Sequence, residues 1–171
     1  MEAPRMQDII DRLRAGKKND EGFTLIELLV VVVIIGVLVA IAVPVYLNYR
    51  QGAADKAAQS DVRGAISAVE QFYTANSNTY PKEVNSGTED SGKPLDLGLA
   101  SGTATQAGKI TVSDGTLLGY VPATDSSGSY KICARNTGGT EKKWFLYDSK
   151  TGGSVTEMNG GLTTLATCSG S

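Results

Sequence analysis

The sequence predicts an α+β fold, with one long N-terminal α-helix packed on a C-terminal antiparallel β-sheet of four or five strands. Three observations support this prediction. Residues 28–47 carry no charged side chain, and an apolar stripe at helical spacing follows in residues 58–73. From residue 109 onward, short segments of β-forming residues alternate with pairs of turn residues. Tight turns of this kind join antiparallel neighbours.

Composition argues against an enzyme and against a general binder of nucleic acid or anionic membranes. The 171 residues include 16 Lys and Arg against 18 Asp and Glu, so the formal net charge is −2. Such a chain has no broad electrostatic attraction to polyanions. Histidine, the commonest general base and metal ligand, is absent. No phosphate-binding glycine loop, CxxC pair or paired-carboxylate motif is present, so we predict no catalytic residue, cofactor or metal.

The first 47 residues divide into a hydrophilic leader and an apolar span. Residues 1–22 hold five basic and five acidic side chains, whereas residues 23–47 are almost entirely apolar. A helix of this length measures about 37 Å, enough to cross a hydrocarbon core of about 30 Å. Ala40 and Ala42 imitate the cleavage site of a secretory signal peptide, but the apolar run continues beyond them, longer than such a signal. The span is therefore predicted to be a membrane anchor.

Glu27 is an ionisable residue near the start of the apolar span, where burial in lipid is costly. A plain signal anchor does not account for it, because no cation lies within the apolar run. Cleavage between Gly22 and Phe23 would create an α-amino group close to Glu27 in the sequence. The two charges would then pair within one helix or between neighbouring subunits. An intermolecular pair would define the axial register of adjacent subunits.

Residues 22–46, GFTLIELLVVVVIIGVLVAIAVPVY, resemble the class III signal sequence of type IV pilins and related pseudopilins. The shared features are a Gly before the cut, a Phe after it, a Glu one turn further on, and a long apolar run. The resemblance implies that a prepilin peptidase and methyltransferase cleaves after Gly22 and N-methylates Phe23. It also implies that Glu27 aligns incoming subunits during filament assembly.

Gly36 and Pro44 interrupt the apolar run with two residues that weaken a helix. Membrane helices tolerate both, and small residues allow helices to approach closely. A kinked anchor would explain them. The resemblance implies in addition that the segment between them stretches or melts when the helix moves from the bilayer into the filament.

The domain organisation follows from these assignments. The predicted parts are a leader peptide that is removed (residues 1–22), a transmembrane and polymerisation helix (23–47), an amphipathic helix (48–76), an exposed αβ-loop (77–108) and a β-sheet head with a C-terminal disulfide region (109–171). A polar cluster and a proline after residue 75 end the helix.

The amphipathic helix is expected to cover the sheet with one face. The apolar residues of that face are Ala58, Val62, Ala65, Ile66, Val69, Phe72 and Tyr73. The charged residues expected to lie largely elsewhere are Asp55, Lys56, Asp61, Arg63 and Glu70.

Five short strands are predicted in the head. They cover residues 109–112, 117–121, 130–134, 144–147 and 154–158. Hairpin turns are expected at Asp114-Gly115, Gly138-Gly139 and Gly152-Gly153.

Cys133 and Cys168 are the two cysteines, and both lie in the polar C-terminal part. An even pair in a segment that leaves the cytoplasm predicts one disulfide, although two buried thiols would fit the same count. Closing a loop of this length contributes roughly 3–4 kcal/mol. In comparison with pilins, a bond that encloses the C-terminal region resembles the pilin D-region.

Two loops and one strand end carry weaker motifs. Residues 125–128 and 148–152 begin with Asp and contain Ser and Gly, as calcium loops do, but neither has EF-hand spacing and turns explain both. Lys142 and Lys143 precede two aromatic residues, a pattern that can bind nucleic acid by stacking. A solvated strand end beside core aromatics explains this pattern better, so nucleic acid is a weak candidate partner.

The function implied by the resemblance is a structural subunit of a type IV pilus, used for adhesion, motility or DNA uptake. Its partners would be other copies of itself, the prepilin peptidase, the pilus assembly machinery and, before assembly, the membrane. Lys17 and Lys18 favour a cytoplasmic leader and an external head, first in the cell membrane and then in an extracellular pilus. The alternatives are the major pseudopilin of a type II secretion system and a DNA-binding competence pilin.

Overall fold

The computed structural model describes residues 23–87, 91–123, 128–160, 165–166 and 168. Within these ranges the chain forms one α-helix, α1 (Leu25–Ala75), and seven β-strands. The strands are β1 (Val84–Asn85), β2 (Leu95–Leu97), β3 (Gly108–Ile110), β4 (Thr116–Pro122), β5 (Tyr130–Asn136), β6 (Lys143–Asp148) and β7 (Thr156–Asn159). The predicted α+β fold is confirmed.

The chain divides into two compact units, residues 1–44 and 45–171. In the first unit, residues 23–44 are the described part, and all of them are exposed. Large apolar side chains are among them, for example Leu25 at 87% and Ile41 at 63% exposure. By length and composition α1 contains a segment that can cross a membrane. Apolar surface of this extent requires lipid or another protein surface to cover it.

The second unit is built on a five-stranded antiparallel sheet with the strand order β1-β4-β5-β6-β7. β4 and β5 pair along seven residues, with Gly119 opposite Cys133. The turns at Gly138-Gly139 and Gly152-Gly153 join β5 to β6 and β6 to β7, as predicted.

The predicted hairpin at Asp114-Gly115 is wrong, because the strands on either side of it do not pair. β3 pairs with β2 in a separate two-stranded sheet, in which Leu95 lies opposite Ile110. β4 pairs with β1 and β5 instead. Turn residues show where a chain reverses, but consecutive strands are not always neighbours in a sheet.

The region predicted as an exposed αβ-loop contains two strands and several buried side chains. β1 forms an edge of the main sheet, and β2 places Leu95 and Leu97 in the core. Ser86 is also buried, and its Oγ accepts a hydrogen bond from the backbone N of Leu118 at 2.9 Å. Strands of two or three residues are too short to show an alternating pattern, so their polar and glycine-rich flanks conceal them in the sequence.

The apolar stripe of α1 is buried as its spacing predicts. Residues three and four apart share one face of a helix, and this face packs in a single core with side chains of the sheet. The helix residues at 2% exposure or less are Ala58, Val62, Ala65, Val69 and Phe72. The fully buried strand residues that meet them include Leu118, Tyr120, Ile132, Ala134 and Phe145.

Two helix carboxylates that were expected away from this face are buried instead. Asp55 is 7% exposed and Asp61 is 9% exposed. Asp55 accepts hydrogen bonds from the N and Oγ1 of Thr140, at 2.8 Å each. Asp61 accepts them from the N and Oγ of Ser113, at 2.9 and 2.8 Å. A buried charge is tolerated when donors satisfy it, and the helical pattern does not reveal those donors.

The other face of the sheet carries a second apolar cluster, because successive side chains of a strand point to opposite faces. Its buried members are Leu117, Cys133, Trp144, Leu165 and Cys168. The last two belong to the C-terminal segment, of which residues 165, 166 and 168 are described. This segment approaches β4 closely at Gly119. A Cβ atom at this position would overlap the carbonyl oxygen of Leu165. Leu165 and Cys168 therefore cover part of the sheet face that α1 does not cover.

Candidate assembly site at the start of the helix

Thr24 and Glu27 form reciprocal hydrogen bonds in the first turn of α1. The backbone N and the Oγ1 of Thr24 both donate hydrogen bonds to Oε2 of Glu27, each at 2.8 Å. The backbone N of Glu27 donates to Oγ1 of Thr24 at 3.3 Å and to its carbonyl oxygen at 3.1 Å. This reciprocal arrangement is a capping box, which satisfies N–H groups that a helix leaves unpaired at its start.

The capping box gives Glu27 a partner that the sequence analysis does not name. In the structure its partner is Thr24 of the same chain. Thr-x-x-Glu before an apolar run is a known capping signature, so this signal could have identified Thr24 from the sequence. A carboxylate accepts on both oxygens, and both bonds from Thr24 end on Oε2. A pairing of Glu27 with an amine stays a prediction, and it does not require these two bonds to break.

The predicted cleavage position lies at the edge of the described residues. Phe23 is 77% exposed and directly precedes Thr24, whereas Gly22 lies outside the described residues. Cleavage after Gly22 and N-methylation of Phe23 therefore stay predictions. An amine at this position would lie at the positive end of the helix dipole, where a cation is disfavoured. The nearby carboxylate of Glu27 would offset that repulsion.

Gly36 and Pro44 both lie inside α1, which continues through them. A Cβ atom at Gly36 would meet nothing within 4 Å, so no contact in the described chain requires glycine there. Proline cannot donate the backbone hydrogen bond of a helix interior, which makes the helix locally weaker at Pro44. Their role in stretching or melting of the helix stays a prediction.

In the head, Lys143 is engaged by carboxylates from two other elements. Its Nζ lies 3.1 Å from Oε2 of Glu157 and 3.5 Å from Oδ2 of Asp55, and its side chain is 20% exposed. The hydrogen bond to Glu157 is the main cause of a raised pKa of Lys143. The adjacent Trp144 and Phe145 are buried in the two apolar clusters. This arrangement favours the strand-end interpretation over a nucleic-acid surface at Lys143.

Asp148, the first residue of one candidate calcium loop, stabilises a turn. Its Oδ1 accepts a hydrogen bond from the backbone N of Lys150 at 2.9 Å, and its Oδ2 lies 3.9 Å from Nζ of Lys131. Of the other candidate loop, residues 125–128, only Gly128 is described. Across the described part of the chain, no three His, Cys, Asp or Glu residues are grouped so as to hold a metal ion.

Cys133 and Cys168 form a disulfide in which the Cα atoms are 5.5 Å apart. Cys133 belongs to β5 and Cys168 to the C-terminal segment, and both are buried. The bond attaches this segment to the face of the sheet opposite α1, which we call the outer face. The structure thus contains the predicted pair and not the alternative of two separate buried thiols.

The chain matches the family described as the prokaryotic N-terminal methylation motif over residues 17–43. A fimbrial protein of Pseudomonas aeruginosa is 35% identical over 120 residues, which cover 66% of this chain and 73% of the relative. The type IV wide pilus major component PilA4 of Thermus thermophilus is 33% identical over 128 residues, 75% of this chain and 81% of the relative.

A third relative matches over a shorter stretch. The type IV major pilin protein PilE of Neisseria gonorrhoeae is 41% identical over 63 residues, 37% of each chain. No solved structure gives a significant match.

Fold, motif and relatives together define the class as a prepilin-type structural protein, in which one apolar helix precedes a small sheet-based head. The chain belongs to the type IV pilin family. Its function is structural, and it is not an enzyme. Membership of this family implies assembly into a filament after processing at the N-terminal motif.

Proposed function

We propose that the protein is a structural subunit of a type IV pilus and polymerises through its N-terminal helix. The observation that carries the proposal is the exposed apolar surface of residues 23–44 in a chain of the pilin family. Water does not stabilise such a surface, so it needs lipid before assembly and other copies of the chain afterwards. The position of the methylation motif, over residues 17–43 of the same region, supports this use.

The proposed life cycle begins in the cell membrane. Residues 1–22 lie in the cytoplasm, where Lys17 and Lys18 favour that side, and a prepilin peptidase removes them. Phe23 then becomes the methylated N-terminus. Residues 23–47 anchor the subunit and later form the filament core, while residues 48–171 lie outside the cell.

Glu27 has two roles in this proposal. Its capping box with Thr24 keeps the first turn of the helix formed and holds the carboxylate at the start of the helix. The same carboxylate then pairs with the Phe23 amine of a neighbouring subunit. Opposite charges interact strongly in an apolar filament core, although desolvation offsets part of the gain. The pair thereby selects one axial register.

The test compares Glu27→Ala with Glu83→Ala, a change of an exposed glutamate in the head. In cells that carry the assembly machinery, Glu27→Ala should insert into the membrane at the parental level but form few or no filaments. Glu83→Ala should form filaments normally. Electron microscopy and membrane fractionation measure the two properties. Normal filaments from Glu27→Ala would refute the assembly role.

Processing is tested separately by N-terminal sequencing and mass analysis of the filament protein. The first residue should be Phe23 with one added methyl group. A filament that retains Met1 would contradict the proposed processing.

The relatives named above are described as pilins or fimbrial proteins, which favours a pilus over a secretion pseudopilin. The use of the filament is tested with the non-assembling variant, by scoring adhesion, surface motility, DNA uptake and protein secretion. A selective loss of secretion would identify a pseudopilin. DNA retention by Lys142→Gln and Lys143→Gln would test a direct contact with DNA.

A further inference from the structure

Two tyrosines and an arginine form an exposed cluster on α1 where the long uncharged run of the sequence ends. Tyr49 and Arg50 lie three and four residues after Tyr46, so each of them neighbours Tyr46 on one side of the helix. Tyr46 is 60% exposed and Tyr49 is 77% exposed. The Cζ of Arg50 lies 5.9 Å from the centroid of the Tyr46 ring, a cation–π distance.

These three side chains suit the boundary between lipid and water. Tyrosine combines an apolar ring with a polar hydroxyl, and it is enriched at membrane interfaces for that reason. Arginine extends its apolar stem along lipid while its guanidinium forms paired hydrogen bonds with phosphate. The face formed by Tyr46, Tyr49 and Arg50 therefore complements phospholipid head groups in both polarity and charge.

The position of the cluster in the sequence agrees with such a boundary. No charged residue occurs between Glu27 and Arg50. A helical segment of that length rises about 33 Å, close to the hydrocarbon thickness of about 30 Å. If Arg50 lies at one boundary of the hydrocarbon, the spacing brings Glu27 to the other. The carboxylate of the capping box then remains accessible to water and avoids burial in lipid.

We infer that Tyr46, Tyr49 and Arg50 form an interfacial band that docks into the phospholipid head groups of the outer leaflet and sets the depth of the anchor before assembly. The inference rests on the proposed function of residues 23–47 as a membrane anchor. The competing interpretation is that a second copy of the chain docks on this face. Close helix packing in membranes favours small side chains, whereas this face presents two phenol rings and a guanidinium.

Depth-dependent fluorescence quenching tests the band. The full-length chain is reconstituted into vesicles of phosphatidylcholine and phosphatidylglycerol that contain a lipid brominated either near the head group or near the chain end. The tryptophan of Tyr49→Trp reports the depth of the band, and that of Leu38→Trp reports the depth of the middle of the span. The parent chain, whose single tryptophan is Trp144 in the head, supplies the background to be subtracted.

Tyr49→Trp should be quenched more by the shallow bromine, and Leu38→Trp more by the deep bromine. Stronger quenching of Tyr49→Trp by the deep bromine would overturn the inference. If neither lipid quenches Tyr49→Trp while Leu38→Trp is still quenched, this face lies in water or against a second copy, and the inference is overturned. If neither brominated lipid quenches Leu38→Trp, the anchor does not insert. The proposed function then fails together with the inference.

The contribution of Arg50 is tested in the Leu38→Trp background. Arg50→Gln should shift the quenching ratio of the Leu38→Trp reporter, because the helix loses its phosphate contact and changes depth. Lys56→Gln removes the same charge from an exposed residue further along the helix and should leave the ratio unchanged. Equal shifts from the two variants, or no shift from Arg50→Gln, would show that Arg50 does not set the depth.

Discussion

Asp55 of α1 binds Thr140, which lies 85 residues away in the turn between β5 and β6, through both of its carboxylate oxygens. Asp61 binds Ser113 in the same manner. At 3.6 residues per turn, Asp55 and Asp61 fall on opposite edges of the apolar stripe of α1. The helix is thus joined to two turns of the head by charge-assisted hydrogen bonds that flank the core. These contacts add to the core packing that aligns the amphipathic part of the helix with the sheet.

Asp55→Asn should lower the free energy of unfolding of the head by about 1.5–3 kcal/mol, because a buried charged acceptor is lost. Urea unfolding of the full-length chain in detergent, followed by Trp144 fluorescence, measures the change. Asp96→Asn is the matched control, since Asp96 pairs with Lys109 at 3.4 Å on the surface and should cost less than about 1 kcal/mol. Equal losses in the two variants would show that the contacts of Asp55 with Thr140 and Lys143 add nothing beyond a surface ion pair.

Gly119→Ala should destabilise the head by about 1–3 kcal/mol, because its Cβ would collide with the backbone of the C-terminal segment. Gly64→Ala should instead stabilise the chain by up to about 1 kcal/mol, because alanine favours the helix interior. A Cβ at Gly64 meets nothing within 4 Å. Thermal unfolding of the two variants in parallel should therefore give shifts of opposite sign. A stabilising Gly119→Ala would contradict the close approach of Leu165 to β4.

Removal of the disulfide by Cys133→Ala with Cys168→Ala should cost roughly 3–4 kcal/mol, since the bond restricts the unfolded chain. The C-terminal segment should also leave the outer face more often and expose Trp144, which belongs to the same cluster. Acrylamide quenching of Trp144 reports this exposure. Dithiothreitol should change quenching in the parent chain but not in the double variant. Unchanged quenching of Trp144 in the parent chain after complete reduction would mean that packing alone holds the C-terminal segment.

Alkaline pH should destabilise the head through its buried tyrosines. Burial, followed by the hydrogen bond from its hydroxyl to Oε1 of Glu70 at 2.7 Å, raises the pKa of Tyr130. Burial likewise raises the pKa of Tyr120. Above the ordinary tyrosine pKa of about 10, the unfolded chain releases these protons before the folded chain does. The contribution of the protonated phenols is therefore complete below about pH 10 and is lost progressively as the pH rises towards the raised pKa values.

Tyr130→Phe tests this assignment, because it keeps the ring and removes the titrating hydroxyl. The variant should be less stable than the parent by about 1 kcal/mol at neutral pH through the lost hydrogen bond. Its free energy of unfolding should decline less steeply above about pH 10. Chemical unfolding at a series of pH values gives both quantities. If the free energy of unfolding declines equally steeply in parent and variant, Tyr130 does not contribute to the loss of stability at alkaline pH.

The pattern repeated over several turns predicted the helix correctly, whereas the two shortest strands before β3 were missed. The stripe from Ala58 to Phe72 appears in the sequence because its period matches the helix. β1 and β2 have two and three residues, too few for a period to emerge. The capping box has a local signal, because Thr24 precedes Glu27 at capping distance, but the charge of Glu27 in an apolar span points first to a partner amine.

The local order of residues was sufficient to establish the apolar span, the amphipathic helix, most strands and the cysteine pair, because each depends on neighbours in the chain or on a simple count. Three features emerged only in the folded chain. They are the pairing of β3 with β2, the burial of Asp55 and Asp61, and the approach of the C-terminal segment to Gly119. Each of these joins residues that are distant in sequence. Their contacts depend on where separate elements meet in space, and no periodicity along the chain encodes that meeting.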